Sequence, residues 1–168
     1  MSKWAKERLE GLVAGARTAL GHAVDPDEDL SAASAGAALD DRGRAKLEAL
    51  SAGVRGVACR VTKVKKMAGD ASIAVVRRKK RFLFDYDASL EFEAVVTPGQ
   101  VKYKGTLDYP ELSSAVSEGE PYECQVTYKS GRAPPSGEKA AVDLAVAELR
   151  DAVAATVAVF VSEYQALP

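Results

Sequence analysis

The feature that most constrains the fold of this chain is a strict alternation of apolar and polar side chains between Phe82 and Ala94. Successive side chains of a β-strand point to opposite faces, so a period of two predicts a strand with one buried face and one wet face. Strands of this kind are typical of antiparallel sheets. The apolar members of the alternation are Phe82, Phe84, Tyr86, Ala88, Leu90, Phe92 and Ala94.

Other segments carry the same period of two and predict further strands of one sheet. Pro98-Gly99 is a turn signal between two of these segments. The order strand, turn, strand predicts an antiparallel β-meander of four to five strands. The alternating apolar positions are Val57, Cys59 and Val61; Ala71, Ile73 and Val75; Val101, Tyr103, Gly105, Leu107 and Tyr109; and Tyr122, Cys124, Val126 and Tyr128.

The period changes to that of a helix towards both ends of the chain. Trp4–Leu20 has apolar residues at helical spacing and predicts an amphipathic N-terminal helix. Glu138–Tyr164 predicts a long C-terminal helix of about 40 Å, against about 43 Å for the strand 82–94. Because the two lengths match, we expect the long helix to pack along one face of the sheet, giving an elongated two-layer α+β domain. Its apolar stripe comprises Val142, Val146, Leu149, Val153, Val157, Phe160 and Tyr164.

The length and composition favour a single globular unit. A chain of 168 residues with 47% hydrophobic and 28% charged side chains fits one domain, so we assign residues 1–168 to it. Asp25–Ala38 is an acidic cluster followed by small residues. We expect it to be the most mobile internal region, within an insertion or linker at about 14–53. The chain has neither a long apolar run nor a secretory signal, so we expect a cytoplasmic protein without a membrane anchor.

Residues suited to catalysis or metal binding are few. His22 is the single histidine, and Cys59 and Cys124 form no Cys-x-x-Cys pair. Both cysteines fall on the apolar phase of their strands, which favours buried structural thiols. The familiar nucleotide-binding and hydrolase motifs are absent, so we expect no enzyme, no cofactor and no metal.

The formal net charge of -1 hides a separation of charge along the chain. Residues 55–81 contain ten basic side chains and one acidic side chain, whereas residues 85–123 contain nine acidic side chains and two lysines. The densest basic stretch is Arg77-Arg78-Lys79-Lys80-Arg81, whose adjacent like charges must be exposed. Three interpretations are open: a solvated hairpin end that protects a sheet edge, a nuclear-localisation or nucleic-acid patch, and a docking surface for an acidic protein.

Around this basic stretch the sequence resembles the N-terminal domain of the activators of heat shock protein 90 ATPase. That family has a Gly-Asp/Glu-Ala-Ser-Val/Ile strand, an Arg-Lys-Gly-Lys turn, an aromatic strand ending in Tyr-Asp/Glu, and a later segment built around Lys-Gly and a Pro-x-Leu/Val-Ser ending. The chain departs from the turn motif at Lys80, where the family has glycine. The matching segments are Gly69–Ile73, Arg78–Arg81, Phe82–Asp87, Val101–Ser113, Cys59–Val64, Trp4 with Leu9 and Leu12, and Ala147–Tyr164.

The resemblance implies a non-enzymatic co-chaperone that binds the middle segment of heat shock protein 90 and stimulates or modulates its ATPase cycle. It also implies a single-domain, monomeric version of the family that needs no cofactor. Strong stimulation is tied in the family to an Asn-Asn-Trp-His-Trp segment before the first helix. That segment should precede Trp4, but the sequence starts at Met1, so we expect a weaker stimulator. The implied partner-binding residues are Arg77, Arg78, Lys79, Lys80 and Arg81, with secondary contacts at Lys63, Lys65 and Lys66.

Two other functions stay open on the residues alone. The first is binding of a polyanion or nucleic acid through the basic segment 55–81, although Phe82, Phe84 and Tyr86 follow the core phase and are not free to stack on bases. The second is a small-ligand carrier that uses the cleft between a curved sheet and the long helix.

Overall fold

The computed structural model describes residues 2–21, 54–97, 99–116 and 120–167. These residues form, in chain order, α1 (Ser2–Ala14), β1 (Arg17–Gly21), β2 (Gly56–Val76), β3 (Lys79–Thr97), β4 (Val101–Ser113), β5 (Gln125–Tyr128) and α2 (Ser136–Gln165). The strands lie in sequence order within one sheet, and each is antiparallel to its neighbour. The predicted α+β fold with an antiparallel meander is confirmed.

The long helix α2 packs on the apolar face of the sheet. Every residue of its predicted stripe, from Val142 to Tyr164, is buried. Pro135 precedes the first turn in an extended conformation, as expected for a residue that lacks a backbone N–H and favours helix starts. Burial of this stripe contributes on the order of 10 kcal/mol gross, as an upper bound. The first helix adds Ala5, Leu9 and Val13 to the same core.

The predicted N-terminal helix is too long, because the structure ends it at Ala14 instead of Leu20. Gly15 follows in a turn, and Arg17–Gly21 forms the edge strand β1. This strand pairs with β2 from Arg17 opposite Arg60 to Gly21 opposite Gly56. Glycine weakens a helix by about 1 kcal/mol relative to alanine, and the backbone edge of β2 offers the following residues an alternative set of hydrogen bonds. The spacing of apolar residues in this segment cannot show that the edge of β2 is available for pairing, so it predicted a longer helix.

Two other expectations need correction. Val75, placed on the buried phase of β2, is 70% exposed, since it lies near the end of a hairpin that other strands do not reach. The strand predicted over 122–128 begins only at Gln125. The expectation that both cysteines are buried holds for Cys59, and burial raises the pKa of its thiol to about 12. Cys124 is only partly buried.

His22 and the mobile stretch predicted over Asp25–Ala38 lie outside the described residues. The insertion at about 14–53 therefore stays a prediction. Of that range, the structure describes residues 14–21, which comprise the end of α1, a two-residue connection and β1.

Gly105 in β4 shows why one of the family-like motifs requires glycine. A Cβ atom at this position would lie 2.7 Å from the Phe92 ring and 2.5 Å from the Thr127 carbonyl oxygen. The ring of Phe92 fills the space above Gly105 and meets Tyr128 edge to face, with 5.9 Å between the ring centroids. The glycine of the Lys-Gly segment is therefore a packing requirement of the sheet centre.

Candidate functional site

The β2–β3 hairpin extends beyond the rest of the sheet. β4 pairs with β3 only from Asp85 opposite Ser113 onwards, and β1 pairs with the other end of β2. From Ala71 opposite Phe84 to Val76 opposite Lys79, β2 and β3 pair only with each other among the described strands. We call residues 70–85 the distal arm, which is about 20 Å long at the rise of an extended strand.

Gly69 lies where the distal arm begins. Its backbone passes so close to β3 that a Cβ atom would lie 2.0 Å from the Asp85 carbonyl oxygen, and its φ of +151° is one that other residues rarely adopt. The glycine of the Gly-Asp-Ala-Ser-Ile motif therefore allows a close approach of the two backbones at the base of the arm.

The arm ends in a two-residue turn formed by Arg77 and Arg78, between the paired residues Val76 and Lys79. Both turn residues have positive φ, 51° and 66°. Tight hairpins require this conformation to match the strand twist, and they usually place Asn or Gly there. Each arginine costs roughly 1–2 kcal/mol in a left-handed conformation. We call Arg77–Arg81 the basic tip; all five residues are exposed.

In the body of the hairpin, the register places basic residues of β2 beside acidic residues of β3. Arg60 Nη2 lies 3.7 Å from Glu93 Oε1, and the Lys66 ammonium forms an ion pair with the Asp87 carboxylate. Glu93 is only 5% exposed, and it also contacts Lys102 at 3.7 Å and Lys104 at 3.3 Å. The charge separation along the chain thus becomes charge pairing in the sheet.

Glu91 shows the same pairing on the same face of the sheet. The Lys129 ammonium donates a hydrogen bond to its carboxylate at 3.1 Å, and this bond lowers the pKa of Glu91. Nearby Lys63 and Lys65 add a smaller electrostatic contribution in the same direction.

The basic tip lacks such partners. Lys79, Lys80 and Arg81 stand opposite Val76, Val75 and Ala74, respectively. Within the part of the chain that the structure describes, none of the five tip residues forms an ion pair. The tip is therefore a cluster of positive charge at the end of an arm, and no carboxylate of the described residues neutralises it.

The structure does not bring the predicted secondary contacts to the tip. Lys66 lies ten positions before Val76 on β2, or about 33 Å away at the strand rise. Its ammonium is engaged by Asp87. Lys63 and Lys65 are exposed farther along the same strand, where two register irregularities interrupt the pairing with β3.

Aromatic contacts hold the distal arm against the end of α2. Phe82 meets Tyr164 and Phe84 meets Phe160, both edge to face, with centroid distances of 5.4 and 5.5 Å. Trp4 of α1 stacks on Tyr164 at 6.5 Å. The Tyr164 hydroxyl donates to the Leu83 carbonyl oxygen at 3.5 Å. The arm therefore has a defined direction relative to the helices.

A groove of about 840 Å³ lies beside the arm. Its walls come from Phe82 and Phe84 of β3, from the residues that follow β4, from 120–122, and from the second half of α2. The matching lengths of helix and sheet suggested a cleft between them, but the sequence identified no residues that line it. The signal in the sequence was the longer alternation of β3 compared with β4, which leaves part of β3 without a neighbour.

Two further properties restrict the site. The described residues include no group of three or more His, Cys, Asp or Glu side chains arranged to hold a metal ion. Within the same residues, neither helix has the length and apolarity needed to cross a membrane. The fold and the basic tip together define a two-layer α+β domain with a cationic protrusion suited to macromolecular contact.

The family model described as "Activator of Hsp90 ATPase, N-terminal" matches residues 1–166. The chain therefore belongs to this family of co-chaperone activator domains, as the motifs around Gly69–Ile73 and Arg78–Arg81 indicated. The solution structure of the human Aha1 N-terminal domain is similar at a TM-score of 0.49 and 21% identity, over 94% of this chain and 90% of that chain. No curated protein matches the chain.

Proposed function

We propose that this protein binds the middle segment of heat shock protein 90 and stimulates or modulates its ATPase cycle, with the basic tip in contact with the chaperone. Membership of the activator family supports the kind of function. The observation that carries the proposal is the set of five exposed cations, Arg77–Arg81, at the end of an arm that is anchored on α2.

The physical role of the tip follows from its exposure. An exposed ion pair contributes only about 0.2–1 kcal/mol, so the tip acts mainly by steering and orienting an acidic partner. A partner that prefers one conformation of the chaperone raises the population of that conformation in proportion to its difference in affinity. The arm would thereby favour the ATP-hydrolysing state without contributing a catalytic group.

Binding of a polyanion is the alternative function, and the structure narrows the surface that it would use. Arg60 and Lys66 of the basic segment are engaged by Glu93 and Asp87 on the neighbouring strand. A nucleic acid would therefore meet mainly the basic tip instead of a continuous stripe over residues 55–81. So small a cluster can neutralise only a few phosphates, which favours weak binding with a correspondingly shallow salt dependence.

The experiment compares two variants that lose the same charge. Lys79→Ala with Lys80→Ala alters the tip but leaves Arg77 and Arg78 in the turn. Arg132→Ala with Lys139→Ala removes two exposed cations near the start of α2, far from the arm. Binding to the isolated middle segment, ATPase rate, and binding to a single-stranded oligonucleotide are measured at low and moderate salt.

We expect the tip variant to associate more slowly with the middle segment, with a flatter salt dependence, and to lose ATPase stimulation beyond its loss of binding. The control variant should behave like the wild type. Equal chaperone binding and equal ATPase rates for the two variants would exclude the tip as the contact. A loss confined to oligonucleotide binding would favour the polyanion alternative.

A further inference from the structure

In the distal arm, a backbone edge of β3 lies beyond the last residue of β4 and is unpaired among the described residues. The Ser114 N–H donates to the Phe84 carbonyl oxygen at 2.9 Å, and the Phe84 N–H donates to Ser114 Oγ at 3.2 Å. The backbone groups of Phe84 therefore point away from β2. Because this direction alternates along an antiparallel strand, the N–H and C=O groups of Lys80 and Phe82 point the same way. Among the described residues, none pairs with that edge nearer the tip than Phe84.

The 840 Å³ groove adjoins this open edge, because Phe82 and Phe84 line it together with Ser114. Its opposite wall is formed by α2, including Ala158, Val161 and Tyr164. A strand added to β3 would direct alternate side chains into this groove. The site thus offers backbone groups that no described residue pairs, together with a recess whose walls combine apolar side chains, such as Phe82 and Val161, with polar ones.

The charges along the site differ at its two ends. The basic tip lies at one end. Glu120 and Asp151 line the groove at the other end. Asp151 precedes Phe160, which contacts Phe84, by nine helical positions, or about 14 Å along α2. A complementary ligand is therefore acidic beside the tip, apolar in the middle, and free of negative charge beside the two carboxylates.

We propose that this edge and groove bind an extended segment of a partner protein by β-strand addition, with apolar side chains in the groove and acidic side chains along the basic tip. Backbone hydrogen bonds supply affinity in such complexes, and pockets for alternate side chains supply specificity. A segment that continues the line of β4 runs antiparallel to β3, so its N-terminal half covers the groove and its C-terminal half reaches the tip.

A second copy of this chain fits the edge poorly. A two-fold edge-to-edge dimer centred between Lys80 and Phe82 would bring the Arg81 residues of the two copies opposite each other, and like charges directly opposite are destabilising. The inference goes beyond the chaperone contact, because it concerns the backbone edge and the groove and does not require a particular partner.

The test measures binding of a synthetic peptide, acetyl-Ser-Val-Phe-Val-Thr-Glu-Asp-Glu-amide, to the full chain. Calorimetry gives the affinity, and amide NMR shows which backbone groups are affected. Two methylated forms of the peptide carry N-methyl groups on one or the other alternating set of backbone amides. In an added strand only one set faces β3. We expect one form to lose at least about tenfold in affinity, as the loss of two hydrogen bonds implies, and the other to retain binding.

Matched protein variants test the same edge from the other side. Lys80→Pro removes the outward N–H, which an edge strand tolerates, whereas Lys80→Thr removes the same charge and keeps the N–H. We expect the proline variant to bind at least about threefold more weakly than the threonine variant, since one hydrogen bond is lost. Ala158→Trp should block the groove, and Ala155→Trp, on α2 but outside the groove, should not.

The peptide comparison keeps the proposal testable even if Lys80→Pro does not fold. Equal affinity of both methylated peptides and the unmethylated peptide would overturn the proposal, because it would show a contact made only by charge. Absence of saturable binding at about 1 mM peptide would also overturn it, as would unchanged binding by the Ala158→Trp variant.

Discussion

The body and the distal arm of the β2–β3 hairpin belong to the same two strands, yet they differ in how their basic side chains are paired. In the body, Arg60 and Lys66 lie beside carboxylates of β3. In the arm, the cations of Lys80 and Arg81 face Val75 and Ala74. Among the described residues, opposite charges therefore pair where the sheet is wide, whereas the cations at the end of the hairpin have no carboxylate partner.

The two regions also differ in packing. The body is flanked by β1 and β4 and covered by the helices, so its inward side chains, such as Leu90 and Phe92, are buried. The arm contacts α2 through Phe82 and Phe84, and Val75 near its end is 70% exposed. Stability should therefore reside in the body and in the α2 interface, whereas the tip is available for recognition.

The largest expected effect comes from a charge placed in the α2 interface. Val153→Asp buries an unpaired carboxylate against the sheet, because Val153 is fully buried. We expect a loss of about 3–5 kcal/mol in the free energy of unfolding, measured by denaturant titration. Ala155→Asp on the exposed side of the same helix is the control. Similar stability of the two variants would contradict the packing of α2 on the sheet.

A smaller loss is expected at the junction between body and arm. Gly69→Ala should destabilise the protein by more than about 1 kcal/mol, since the added Cβ meets the Asp85 carbonyl oxygen. Gly11→Ala, in α1 with open space around it, should instead stabilise the protein by roughly 0.5–1 kcal/mol. Thermal unfolding shows whether each variant melts above or below the wild type. If both melting temperatures shifted in the same direction, the close approach at Gly69 would be refuted.

The buried carboxylate of the body should matter more than an exposed one. Glu93→Gln leaves the cations of Arg60, Lys102 and Lys104 without their shared partner, so we expect a loss of about 1–3 kcal/mol. Asp87→Asn removes the half-exposed partner of Lys66 and should cost only about 0.2–1 kcal/mol. Chemical denaturation at low and high salt measures both; an equal cost would show that burial of Glu93 is unimportant.

The smallest effect on stability is expected at the basic tip. Replacement of Arg78, Lys79, Lys80 and Arg81 together by alanine removes exposed cations that lack carboxylate partners in the described structure. The melting temperature should stay nearly unchanged, because substitutions at exposed positions without specific contacts each change the free energy of unfolding by at most about 0.5 kcal/mol, in either direction. Calorimetric melting checks this. A large drop would mean that the tip is part of the folded core of the hairpin, and faster aggregation alone would favour protection of the open edge as its role.

Much of the fold could be predicted because its determinants are local periodicities. The alternation over Phe82–Ala94 predicted β3, and the stripe from Val142 to Tyr164 predicted both α2 and its buried face, because a side chain's direction depends on its position within the element. The motifs around Gly69–Ile73 and Gly105 indicated the family. The position of the basic tip between two strands was also readable, while its role as a partner contact stays a prediction.

Tertiary structure alone decided which residues meet. The helical spacing through Arg17–Gly21 suggested more of α1, but the backbone edge of β2 recruits these residues as β1. The burial of Glu93 among three cations and the open edge at Lys80 and Phe82 depend on the register and unequal lengths of neighbouring strands. The alternation of side chains within a strand is a local property that the sequence shows directly. Register and sheet edges depend on pairing between segments that are distant in sequence, so only the tertiary structure determines them.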